Sequence, residues 1–274
     1  MKSLRKDAEK HPITNIIMIL LFAIGGISLP LSKLVKVFIE DTIIAEELGT
    51  IILRVVFSGI MIYFIKSYRF KIFGFTKNKK ELLLIIPALV VAINNFPFIA
   101  VITGKTGIAY GAWYVVLFVI KCISVAIFEE LTFRGIILPL SYIALKNKKN
   151  KVFWSVVLSS AIFGAVHLVN LFGGFNPAVF LQVGYSFLIG AMCAIAMIIS
   201  ENVIVPIILH AIYNVAGQII EELGSVWEFG IIWNTPTIII TAVVGVAVAI
   251  FYVLTIVKIK EEKLRVLIEE EGKE

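Results

Sequence analysis

Eight apolar stretches of roughly 20 residues recur along the 274-residue chain, at 13–31, 49–65, 82–102, 109–137, 156–175, 178–199, 203–220 and 237–257. A bilayer core about 30 Å thick takes roughly 20 apolar residues per helical crossing. With no water in that core, a helix satisfies its backbone groups within each segment. The pattern predicts an all-α polytopic membrane protein, an eight-helix transmembrane bundle. Composition agrees, with 59% hydrophobic and 16% charged residues, where soluble domains carry about 45–50% and about 25%. A soluble enzyme, a disordered chain and a nucleic-acid-binding domain are excluded, despite a net charge of +6. The second stretch is short and carries Arg54.

The cations give the expected orientation. Of the 25 Lys and Arg, nineteen lie before stretch one, after stretches two and four, or after stretch eight. The opposite connections hold Glu40, Asp41, Glu46, Glu47, Glu221, Glu222 and Glu228, with Lys33, Lys36 and Lys105 as their cations. Positive charge stays on the cytoplasmic side, so both termini are expected there, in a multi-pass protein of the cell membrane. The basic excess reads as a topology signal and not as a partner-binding patch. The first stretch is too long for a secretory h-region and is read as a span. Residues 1–274 read as one transmembrane unit without a soluble domain, and the charged tail 258–274 as a solvated extension of the last span. Cys122 and Cys193 fall within apolar helices without C-x-x-C spacing, as reduced packing residues.

The polar residues inside the spans carry the functional signal. A charge at mid-helix in lipid costs about 2.5–3.5 kcal/mol, yet the fourth stretch holds Glu129, Glu130 and Arg134. These must face protein or a water-filled cavity. Glu130 and Arg134, at i,i+4, share a helix face and are expected to pair. Glu129, turned about 100° away, stays available. His167 follows Phe163 by four residues in the fifth stretch, and Asn214 follows His210 by four in the seventh. Intramembrane polar groups mark a functional site by default. Their depths match if 139–157 is mostly an interfacial segment and the fifth span starts near Leu158, with the site open to the cytoplasm.

Carboxylate, histidine and amide together suit hydrolysis. A desolvated carboxylate is a stronger base toward water than a surface one. His167 is placed to share that activation or pass the proton to the leaving amine, and His210 with Asn214 to hydrogen-bond a developing oxyanion. No Ser or Cys stands in a nucleophile motif, so direct attack by water is expected. Glu129-Glu130-Leu-Thr-Phe-Arg134, Phe163-x-x-x-His167 and His210-x-x-x-Asn214 resemble, in this order and on separate spans, the E-E-x-x-x-R, F-x-x-x-H and H-x-x-x-N motifs of the CAAX protease and bacteriocin-processing (CPBP, or Abi) family, which includes the type 2 CAAX prenyl endopeptidases (Ras-converting enzymes). The resemblance covers about 121–217. It implies a glutamate-dependent intramembrane endopeptidase in which Glu129 with His167 activates water, His210 and Asn214 form the oxyanion site, and Glu130, Arg134 and Phe163 support them. It implies no cofactor. The expected partners are the lipid bilayer and a membrane-associated peptide or lipidated protein, such as a prenylated C-a-a-X chain.

Three other readings stand beside it. Glu129, His167 and His210 together would make a zinc-dependent version of the same protease, since N and O ligands with an open position form a catalytic metal geometry. The same polar chain would serve a catalytically silent scaffold or a bacteriocin-immunity partner. A proton-coupled transporter would show mirrored broken helices; Asn94-Asn95-Phe96-Pro97 can break one, but no segment mirrors it.

Overall fold

The computed structural model describes residues 2–226 and 228–268; the last six residues of the charged tail lie outside the described residues. Helix α1 (Lys2–Lys10) leads into α2 (Pro12–Ile27), α3 (Leu31–Val35) and the long α4 (Thr42–Tyr68). Two short helices follow, α5 (Ile86–Asn94) and α6 (Phe98–Ile102), then α7 (Ala112–Thr132) and α8 (Leu138–Ala144). The chain continues through α9 (Lys151–Ala165), α10 (Ala178–Ser200), α11 (Ile204–Leu223), α12 (Phe229–Ile232), α13 (Thr235–Ile256) and α14 (Glu261–Val266). Among the described residues the extended chain makes only isolated bridges, Phe73 with Asn202 and Ile108 with Gly224. Among the described residues, seven helical stretches are long and apolar enough to cross a membrane: Pro12–Val35, Thr42–Tyr68, Ala112–Ala144, Lys151–Gly173, Ala178–Ser200, Ile204–Leu223 and Thr235–Ile256. The chain is an all-α, multi-pass integral membrane protein.

The expected third span is not one helix. It opens as a 3-10 turn at Lys79–Ile85, continues as α5, and breaks at 95–97 before α6. Pro97 has no N–H to donate and disfavours helix in the residue before it. The break is held by side chains: Asn95 Nδ2 donates to the Tyr213 carbonyl of α11 (3.0 Å) and Asn94 Nδ2 to Thr241 Oγ1 of α13 (3.1 Å). Gly217 makes room, since a Cβ there would stand 2.2 Å from Asn95 Nδ2. The two bridges fall at opposite ends of α11, so residues 73–108 run its length, about 30 Å.

Helix directions follow from contacts at several levels. Glu47 meets Lys121 (3.0 Å), Arg54 lies over the Phe128 ring (5.1 Å), and Ile65 crowds Gly135. Helices α4 and α7 are therefore parallel, with the broken segment returning between them. Lys121 meets Glu222 while Glu130 meets His210, so α11 runs antiparallel to α7. The centre of the bundle is α10, whose apolar window is 67% buried, against 11% for α13 at the edge. Cys122 and Cys193 are buried free thiols, in keeping with a packing role.

Two sequence expectations are corrected. The helix of the fifth stretch does not start near Leu158: α8 continues α7 through Ala144 and α9 already begins at Lys151. Pro139 is tolerated because the chain widens into a π turn at Phe133–Ile137 just before it, relieving its clash with the preceding turn. The tail is not a solvated extension of α13. Leu264, Leu267 and Ile268 are buried, Lys71 N–H donates to the Leu267 carbonyl (2.8 Å), and Lys263 lies against Glu81 and Glu201. Their i, i+3, i+4 spacing gives the tail one apolar face, which folds back onto the bundle. Lys151 Nζ, 2.6 Å from Glu261, holds that exposed carboxyl below the usual carboxylate range.

The antiparallel pair α9 and α10 pack closely at Gly164, where a Cβ would stand 2.8 Å from the Val183 carbonyl oxygen. Gly164→Ala is expected to cost about 1–3 kcal/mol by overpacking, whereas Gly25→Ala, with nothing within 4 Å of the new Cβ, should stay within about 1 kcal/mol of the parent. Thermal midpoints of the detergent-purified variants check the contrast.

Candidate active site

The site assembles where α7, α9, α10 and α11 meet. Glu129 and Glu130 close the last full turn of α7, and the π turn at Phe133–Ile137 follows immediately. Such insertions frequently mark functional sites. Here the turn carries Arg134, whose Nε lies 3.0 Å from Glu130 Oε2. The contact is an ion pair and not an aligned hydrogen bond, because both atoms otherwise lack a hydrogen-bond partner. Arg134 Nη2 donates to the Gly190 carbonyl of α10 (3.0 Å), while Nη1 is buried without a hydrogen-bond partner. Its guanidinium also stacks 4.6 Å above the Phe163 ring. The expected i,i+4 pairing is present, and it is fully enclosed: Glu130 and Arg134 side chains are 0% and 1% exposed.

Glu130 reaches further than the spacing implied. Its Oε1 takes a hydrogen bond from His210 Nδ1 at 2.7 Å. That contact fixes the imidazole and leaves Nε2 as the nitrogen facing the site, 3.6 Å from Glu129 Oε2. A carboxylate on one ring nitrogen commonly sets what the other can do. Glu129 itself keeps 19% of its side chain open. The two adjacent carboxylates thus divide, one locked between two cations or donors and one reachable by water.

His167 is the second residue of the 3-10 turn Val166–Gly173 that follows α9. Where the α-helical hydrogen bonds lapse, the Phe163 carbonyl is free to bond His167 Nδ1 (2.9 Å). With Nδ1–H so donated, Nε2 carries the free lone pair. Phe163 stands between the histidines, its ring edge-on to His167 at 5.3 Å and to His210 at 5.9 Å. Asn214, buried one turn past His210 on α11, makes no hydrogen bond among the described residues. The structure therefore brings Glu129, Glu130, Arg134 and His210 into direct contact and joins His167 to them through Phe163. Glu129 and His167 are not within ion-pair distance of each other. Among the described residues no group of three or more His, Cys, Asp or Glu is placed to hold a metal ion.

Residues 111–216 match the family model described as type II CAAX prenyl endopeptidase Rce1-like. The matched region, under half of the chain, is similar to that family. No curated protein and no solved structure matched the chain. The Rce1-like region runs from the N-cap of α7 into α11 and contains every one of the seven motif residues. It leaves α4 outside, and with it Arg54, whose guanidinium lies 5.1 Å over Phe128 and interacts electrostatically with Glu129. Sequence reasoning noted Arg54 only as a charge in a short span; its position two helical turns from Glu47 was the available signal. The Glu130–His210 bond and the Gly190 carbonyl had no such signal, since both join segments far apart in sequence.

Removing one partner of an enclosed ion pair leaves an uncompensated charge. Arg134→Met is expected to cost about 3–5 kcal/mol, and combining it with Glu130→Gln should cost less than the two single changes added together. Chemical unfolding of the three variants in detergent checks the cycle.

Proposed function

We propose that this chain is an intramembrane endopeptidase that hydrolyses a peptide bond in a membrane-associated protein or peptide, with a prenylated C-terminus as the leading substrate class. The single observation that carries the reading is the division of the carboxylate pair: Glu130 is enclosed and held by Arg134 and His210, while Glu129 stays open to water beside His210 Nε2. The Rce1-like match over 111–216 supports the same reaction class.

In this mechanism a water molecule lodged at Glu129 loses a proton to that carboxylate as its oxygen attacks the substrate carbonyl. The C–N bond then breaks, and the leaving nitrogen takes up a proton delivered through Glu129 or His167 Nε2. His210 in its imidazolium form, with Nδ1–H on Glu130 and Nε2–H toward the site, and the Asn214 amide support the negative charge that develops on the carbonyl oxygen; preorganised donors of this kind contribute about 3–4 kcal/mol each. Glu130, Arg134 and Phe163 touch no reacting atom. They are positioning residues that hold the His210 ring. We propose a metal-free reaction, an eight-crossing topology in which residues 73–108 form the third crossing, both termini cytoplasmic, and residence in the cell membrane.

The test compares membrane-associated peptide termini in cells expressing the chain or Glu129→Gln at matched levels. Termini that require Glu129 identify both proteolysis and its substrate, and on that substrate the variant should lose about 10²–10⁴ in rate. Activity of the purified protein should survive a chelator. Identical profiles, with a deletion phenotype rescued equally by both chains, would replace the peptidase with the scaffold or immunity role; loss to chelator restored by zinc would replace the mechanism.

A further inference from the structure

Arg54, Lys121 and Arg134 lie away from the ends of the membrane-spanning helices, and two of these three are paired. Lys121 bridges Glu47 and Glu222, and Arg134 holds Glu130. Arg54, near the middle of the 27-residue α4, makes no ion pair or hydrogen bond among the described residues, and its Nε is buried without a partner. Stacking on Phe128 at 5.1 Å steadies the guanidinium without neutralising it. Glu129, the residue after Phe128, feels this charge but turns Oε2 to His210 instead.

A second group on the same face is also left open. Ser58 lies one turn beyond Arg54, 6% exposed, with a hydroxyl that bonds nothing. Ser155 and Ser200 bond back to the carbonyl four residues earlier, Lys151 and Ala196, whereas Ser58, like Ser141 and Ser160, has no partner. The equivalent bond from Ser58 to Arg54 is not made. An unpaired guanidinium and an unpaired hydroxyl, four residues apart on one helix face, form a donor set without an acceptor. A planar fork of N–H donors suits a carboxylate.

We infer that Arg54 and Ser58 form a subsite for the free C-terminal carboxylate of the peptide being cleaved. This rests on the endopeptidase reading above. The subsite lies on the helix packed against α7 at the level of Phe128, next to the carboxylate that activates water. An extended chain covers only about 3.3–3.6 Å per residue, so a carboxylate bound there belongs to a leaving peptide of few residues. Arg54 thereby sets how far from the chain end the cut falls, and selects substrates that end in a free acid.

The experiment uses the full chain in proteoliposomes and a fluorogenic farnesylated peptide ending in Cys-Val-Ile-Ala, made as the C-terminal acid and as the C-terminal amide. The parent protein should cleave the acid with kcat/KM about 10- to 100-fold above the amide, the range of a charge-assisted hydrogen bond. Arg54→Gln should bring that ratio close to one, Arg54→Lys should keep part of it, and Ser58→Ala should lower it less. Equal cleavage of acid and amide by the parent overturns the inference and leaves the endopeptidase reading standing, with no variant needed. So does an Arg54→Gln enzyme that slows both peptides equally, since that marks a structural partner of Glu129. Cleavage of neither peptide by the parent removes the reading for prenylated peptides and the inference with it.

Discussion

The Glu130 carboxylate is the point on which the bundle turns. One oxygen takes the His210 Nδ1 hydrogen bond and the other faces Arg134. Alone in lipid, each of these groups is costly; together and enclosed, each satisfies another. Through them α7 is tied to α11, and through the Arg134 bond to the Gly190 carbonyl it is tied to α10. Phe163 of α9 fills the space under the guanidinium and between the two imidazoles. The orientation of His210, and so the nitrogen it offers beside Glu129, follows from this shared carboxylate.

A second polar tie stands about 12 Å along the same helices, eight residues before Glu129. Lys121 of α7 meets Glu47 of α4 and Glu222 of α11. Two ties at different levels between α7 and α11 fix both their separation and their register, which one tie alone leaves free to pivot. The parallel placement of α4 follows from the same cluster. It brings Arg54 to Phe128 although the two stand 74 positions apart in sequence. Surrounding apolar residues fill the volume, but in lipid they carry little directional information, because lipid tails are as apolar as leucine. The polar ties supply that direction.

Much of this was legible in the chain. Run length gave the membrane class, because bilayer thickness acts on each segment separately. The i,i+4 spacing of Glu130 and Arg134 gave their pairing, since a helix places those positions on one face. The separate role of Glu129 followed from the same geometry. The broken third segment was legible only in part: Asn94-Asn95-Phe96-Pro97 can interrupt a helix, but Gly217 of α11 and Thr241 of α13 decided how the break is held. The docked tail was misread because its buried Leu264, Leu267 and Ile268 are interleaved with charges that dominate its composition.

By itself, then, the sequence determined the all-α membrane fold, the polar residues that had to be sheltered from lipid, and the pairs that one helix brings together. Each depends on local periodicity or on the cost of a charge in hydrocarbon, and needs no knowledge of neighbours. Tertiary structure alone decided that Glu130 would hold His210 from 80 residues away, that the chain would widen into a π turn ahead of Pro139, and that Arg54 would lie over Phe128 of α7. Those depend on which helices lie side by side and at what height, which packing sets and spacing along one helix cannot encode.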